Sequence, residues 1–256
     1  MSRWLKALPV ALALAALIVL AAFAASCGSS GAQARFVNAV SGTGAGPLDI
    51  DFDGIKVFSS VGLDTASGST YAGIPAGNVT IEGFQPNSTT PAFPSQVVSL
   101  NAGSQYTLVA AGPLTGTVNI LHPVDVNAEP ANANVTFRVI NASSRGPSGS
   151  GGAVDVYIIA NPNPVLPTTC SGATCVSNVA YQGTGSTTIP YNSEGSGWQI
   201  FVLPHGGGNQ YFNATFPGNG GSNFGSICTI VLYDQSSGAE MAQAFIPLND
   251  LNCPTL

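Results

Sequence analysis

Val135-Thr136-Phe137-Arg138-Val139 alternates apolar and polar side chains, so its two kinds of residue fall on opposite faces of an extended chain. Val79-Thr80-Ile81-Glu82 alternates in the same way. The runs Tyr106 to Ala111 and Thr229 to Tyr233 are rich in β-branched or aromatic residues and lie between clusters of Gly, Pro, Asn and Ser. Beyond residue 26 no window of twelve or more residues carries an amphipathic helical period. The reading is all-β.

Composition narrows the classes of function. Charged residues make up only 7% of the 256, against about 25% in an ordinary soluble domain. With 31 Gly and 18 Pro, this excludes a long charged helix or coiled coil. Six Lys and Arg against twelve Asp and Glu cannot build the basic footprint that phosphate recognition needs, so no nucleic-acid partner is expected. A hydrophobic content of 45% supplies enough apolar surface for folding, unlike a disordered linker.

Internal repetition organises the chain. RFVNA (Arg35 to Ala39) recurs as RVINA (Arg138 to Ala142), LDIDF (Leu48 to Phe52) as VDVYI (Val154 to Ile158), and YTLV (Tyr106 to Val109) as CTIV (Cys228 to Val231). The offset grows from 103 to 106 to 122 residues, so the second copy carries insertions, chiefly in 161–184 and 204–226. Each copy supplies enough short strands for an Ig-like or related β-sandwich. The expected layout is a signal peptide at 1–26, a tether at 27–33, a first sandwich at 34–124, a linker at 125–134 and a second sandwich at 135–256.

The N-terminus suggests export. Arg3 and Lys6 precede an uncharged apolar stretch from Ala7 to Ala25, the layout of a signal peptide. Its nineteen residues would reach about 28 Å as a helix, so an uncleaved anchor and an ordinary secreted protein are the alternatives. Ala24-Ala25-Ser26-Cys27 resembles a bacterial lipobox, with Ala24 where leucine is usual. That resemblance implies lipidation of Cys27, and Gly28 after it implies the outer membrane. The mature chain would keep four basic residues against twelve acids, a formal charge of −8. Beyond its tether it would be repelled by anionic lipid.

Removing Cys27 leaves Cys170, Cys175, Cys228 and Cys253, an even number suited to an oxidising compartment. Of three connectivities, Cys170 with Cys175 and Cys228 with Cys253 is preferred. A zinc site is disfavoured, because no paired C-x-x-C knuckle or intervening histidine occurs at ligand spacing.

The order ARFVNA, LDIDFDG, YAGIPAGNVTI and SLNAGSQYTLVAAG, spanning Ala34 to about Val124, resembles the domain-of-unknown-function 4397 family. In the second copy FRVINAS, AVDVYI and CTIVLYD match, while TIPYNSEGSGWQI (Thr188 to Ile200) replaces YAGIPAGNVTI. The resemblance implies exported, often lipid-anchored β-modules in tandem, and no catalytic residues.

Several residues are candidates for chemistry. Arg35 and Arg138 in the first strand of each copy invite ion pairs with Asp49 and Asp155 in the next, worth about 0.2–1 kcal/mol each if they form. Asp49, Asp51, Asp53 and Gly54 open like a calcium loop. Ser60 at its twelfth position and the strand-like Leu48, Ile50 and Phe52 favour a solvated strand instead, so no metal is expected. His122 and His205 sit in no metal or protease motif, and no G-x-S-x-G elbow or P-loop is present. Tyr191, Trp198, Tyr211 and Phe216 lie in Gly- and Asn-rich sequence able to stack on sugars, although Trp198 to Val202 also reads as a buried strand. The leading expectation is a non-enzymatic, lipid-anchored cell-envelope protein with a structural or interaction role, no cofactor, and an envelope protein or glycan as partner. A carbohydrate-binding protein using the aromatic residues of the second domain is the alternative, and a hydrolase built around His205 the third.

Overall fold

Every segment read as alternating or β-branched forms a strand in the computed structural model, which describes residues 31–68, 70–131, 134–143, 152–161, 164–190, 197–216, 225–234 and 244–249. The first half contains β1 (Ala32–Ser41), β2 (Leu48–Phe52), β3 (Ile55–Val61), β4 (Thr65–Ala66), β5 (Ala72–Ile74), β6 (Gly77–Phe84), β7 (Gln96–Leu100), β8 (Gln105–Pro113) and β9 (Asn119–Leu121). The second contains β10 (Asn134–Asn141), β11 (Val154–Ala160), β12 (Cys175–Val179), β13 (Thr184–Pro190), β14 (Trp198–Pro204), β15 (Phe212–Phe216), β16 (Ser226–Tyr233) and β17 (Ala244–Asn249). The protein is all-β and built of β-sandwiches.

The two halves share one strand order. Sheets β4-β1-β8-β9 and β3-β2-β6-β7 face each other in the first half, with β5 also paired to β1; β13-β10-β16-β17 and β12-β11-β14-β15 do so in the second. In both, the opening strand runs parallel to the last long strand, with Arg35 opposite Thr107 and Arg138 opposite Thr229. The inward side chains fill one core per half: Phe36, Ile50, Ile81 and Leu108 in the first, and Phe137, Val156, Ile200 and Ile230 in the second.

A third apolar cluster joins the halves. Val37, Ala39, Val109, Ala111 and Leu121 on the outer face of the first sheet meet Ile140, Ala142, Val231 and Tyr233 on the outer face of its counterpart. This explains why β1 and β8 read as nearly continuous apolar runs: both of their faces are covered, so no polar face is needed for water.

The repeated asparagine has a structural task. Asn38 and Asn141 are buried, and each donates from Nδ2 across its sandwich, to Val61 O at 2.9 Å and Val179 O at 3.0 Å. The amide satisfies a carbonyl at the end of β3 or β12 while tying one sheet to the other, and a buried amide is tolerated only when so paired.

The calcium-like stretch folds as a hairpin. Asp53 and Gly54 have φ of 49° and 79°, the positive values a tight two-residue turn between twisted strands requires, and Asp53 Oδ1 accepts from Thr80 N. Among the described residues no group of three or more His, Cys, Asp or Glu could hold a metal ion. Cys170 and Cys175 form a disulfide, and Cys228 is also disulfide-bonded; Cys253 and Cys27 lie outside the described residues.

Candidate functional site

The chain leaving β9 continues along the edge of β8, with Thr107 N donating to Pro123 O at 3.3 Å and Asp125 N to Gln105 O at 2.8 Å. That pairing carries the side chain of Asp125, placed in the linker by sequence, onto the outer face of the first sheet. There Thr107 Oγ1 and Tyr71 OH each donate to Asp125 Oδ2 at 2.6 Å. Arg35, fully buried, donates from Nε to Thr107 Oγ1 at 2.9 Å, brings Nη2 within 3.5 Å of Asp125 Oδ2, and lays its guanidinium over the Tyr71 ring at 5.1 Å. Burial, with Asp125 adding to it, pushes the Tyr71 phenol up to about 12 and keeps it a donor.

Arg138 of the second half reaches the same carboxylate, with Nη1 3.2 Å from Asp125 Oδ1, and donates from Nε to Thr229 Oγ1 at 2.9 Å. One carboxylate thus serves an arginine from each half. Asn127 extends the cluster by donating from Nδ2 to Gln105 Oε1 at 2.6 Å and Tyr71 OH at 3.2 Å. A usable signal for this role lay in the sequence, because Asp125-Val126-Asn127 recurs as Asp250-Leu251-Asn252 after the second copy.

The expected pairs Arg35 with Asp49 and Arg138 with Asp155 do not form. Each arginine stands on the outer face of one sheet, whereas each aspartate belongs to the opposite sheet of the same sandwich. Asp49 instead accepts from Lys56 Nζ at 2.6 Å and Ser60 N at 2.7 Å, and these bonds hold it below the usual carboxylate range. Burial pushes Asp155 up, but hydrogen bonds from Asn178 N, His205 Nδ1 and Gly206 N outweigh it and leave Asp155 below its ordinary value. Ser177 Oγ also donates to Asp155, at 3.2 Å. The serine is therefore bonded to the acid and not to the imidazole, which is not the relay a serine nucleophile uses.

Two of the four aromatic candidates belong to the core. Trp198 and Phe216 are 1% and 0% exposed, and both pack edge-on against Phe137 at 5.4 and 5.7 Å. They offer no face to a sugar. Tyr211 is half-buried against the same core, and Tyr191 lies outside the described residues.

Beside Asp125 a cleft of about 770 Å³ opens between the strap 123–131 and the outer face of β10, β13 and β16. Its floor is laid out in cross-strand rows, Thr188 beside Thr136 and Ser186 beside Arg138 and Thr229, with Thr136 Oγ1 2.8 Å from Thr188 Oγ1.

A partly buried acid sits near the junction. Asp64 adopts φ 60°, its Oδ1 is buried without a hydrogen-bond partner, and burial raises it from 3.8 to about 6. Its charge in turn helps push up Tyr233 of the second half. An acid raised in the folded state contributes stability that is complete below pH 3.8 and lost as pH rises through about 6. Asp64→Asn, which stays neutral and tolerates positive φ, is expected to melt a few degrees above the parent at pH 8 and level with it at pH 3.5. Thermal melts at the two pH values check this, and an equal shift at both would exclude titration as the cause.

Sandwich halves joined through a buried carboxylate and an apolar contact define a two-module β-protein. Residues 32–157 match the model of a family described as Domain of unknown function (DUF4397), which supports the resemblance read from the sequence. No curated protein matches the chain. Among solved structures it is similar to the Bacillus anthracis TIE protein, with 12% identity, 81% of this chain and 34% of that one covered, and a TM-score of 0.21. The chain thus spans about a third of that protein's length. It is also similar to family 41 carbohydrate-binding modules from streptococcal virulence factors, studied for α-glucan recognition (9% identity, 86% and 98% covered, TM-score 0.26). A Bacteroides fragilis protein with a suggested role in cell adhesion matches at 10% identity, 82% and 66% covered, with a TM-score of 0.26.

Proposed function

We propose that the protein is a non-enzymatic cell-envelope lipoprotein, tethered to the outer membrane by lipid on Cys27, whose tandem β-sandwiches act together as one interaction module. The observation that carries the reading is the shared carboxylate. Asp125 joins Arg35 of one half to Arg138 of the other beside a contiguous apolar contact. Two sandwiches on a wet linker would tumble independently, and a partner touching both would have to order them at a cost in entropy. A locked junction holds both surfaces in one relation before the partner arrives. The glycan alternative loses support from the burial of Trp198 and Phe216.

The tether is tested by intact mass and membrane fractionation of the native protein beside Cys27→Ala. The expected result is a chain beginning at Cys27 with added acyl mass, which moves to the soluble fraction in the variant. Two soluble, unlipidated proteins would overturn the tether.

A further inference from the structure

We propose that the cleft between the halves binds an extended, uncharged peptide segment, which adds as a strand to the open edge at Val124 to Val126. This rests on the interaction-module reading and gives that module a class of partner. Pro123 O and Asp125 N are turned towards β8, where they are bonded. Main-chain groups alternate in direction along a strand, so those of Val124 and Val126 face the other way, and among the described residues no hydrogen bond reaches them. Their side chains, two residues apart on one face, are 50% and 68% exposed, an unusual display among the described residues, few of which are large exposed apolar ones.

A polypeptide strand is the ligand whose donors and acceptors repeat at this spacing. An unpaired edge of this kind is a ready template for another chain. Across the cleft, Thr136, Ser186 and Thr188 present short neutral hydroxyls, which suit small or polar side chains. Arg138 and Asp125 are already joined to each other, so the charges at the floor do not require a charged ligand. Among the described residues no aromatic ring lines the cleft, so these offer a sugar nothing to stack on. The volume of about 770 Å³ lies within the range of roughly 300–1,000 Å³ usual for ligand sites.

The test begins with a random heptapeptide library displayed on phage and selected on the full chain, with Val126→Pro in solution as competitor. Enriched peptides are then synthesised with capped ends, plain and N-methylated at alternate amides, and titrated by fluorescence anisotropy. Proline at 126 deletes only an outward N–H, so its melting temperature is expected to stay at the parent value. Binding is expected to be saturable and to weaken tenfold or more with Val126→Pro or with the N-methylated peptide. Hydrogen exchange at 124–126 is expected to slow in the complex, and Thr136→Val with Thr188→Val to weaken binding while leaving that protection in place. Failure to enrich any peptide, or equal binding of plain and N-methylated forms, would overturn the proposal. So would maltohexaose that binds and displaces the peptide. None of these results touches the Cys27→Ala fractionation, so failure here and failure of the tether are distinguishable.

Discussion

Asp125→Ala is expected to destabilise the protein by about 3–5 kcal/mol, the cost of removing one partner from a buried ion-pair network. Arg35 has no route to water, being fully buried, and Thr107 and Tyr71 would lose the acceptor they share. Urea unfolding reads the loss in stability. Small-angle scattering reads a second consequence, since the variant also loses the link from Arg138 and its halves are expected to separate, with a larger radius of gyration. Lys56→Met supplies the contrast. It also removes an ion pair with an aspartate, but the lysine side chain is half exposed, and water with counterions screens such a pair. It is expected to leave the midpoint almost unmoved. An unchanged midpoint with an unchanged radius of gyration in Asp125→Ala would show that the apolar contact locks the junction by itself, and the shared carboxylate would no longer carry the one-module reading.

Trp198→Ala is expected to cost about 3–5 kcal/mol through the cavity it opens in the second core. The ring lies against Phe137, which also packs on Phe216, so three large side chains lose contact or shift together. Chemical denaturation measures the loss, and near-ultraviolet circular dichroism reports whether the remaining rings keep a fixed environment. The outcome separates the two readings of this residue. A sugar-binding platform would lose affinity on substitution while the fold kept its stability. A core tryptophan loses stability first.

The alternation at Val135 to Val139 and the recurrence of RFVNA as RVINA were legible because each depends on residues close together in the chain. Side-chain period sets strand over helix, and repeated segments meet repeated neighbours. Both copies accordingly have the same strand order, the same buried asparagine and the same Arg-to-Thr hydrogen bond. The short Cys170–Cys175 bridge was legible for the same reason. The partner of Arg35 was not. Sequence placed an arginine in one strand and an aspartate in the next, but those strands lie in different sheets, so nearness along the chain misled. Asp125 was hidden by the Pro- and Asn-rich composition around it, which reads as a linker even though its first residues pair with β8. Trp198 and Phe216 were ambiguous for a further reason. An aromatic residue among glycines is compatible with a surface or a core, and only the neighbouring sheet decides which.

The amino-acid sequence by itself determined the all-β class and the repeat, because side-chain alternation acts within a few residues and repeated segments meet repeated neighbours. Only the tertiary structure decided which charges meet, which rings are buried, and that the two halves share one carboxylate. Those outcomes depend on which faces of distant sheets come together and exclude water, and desolvation gives a charge its need for a particular partner.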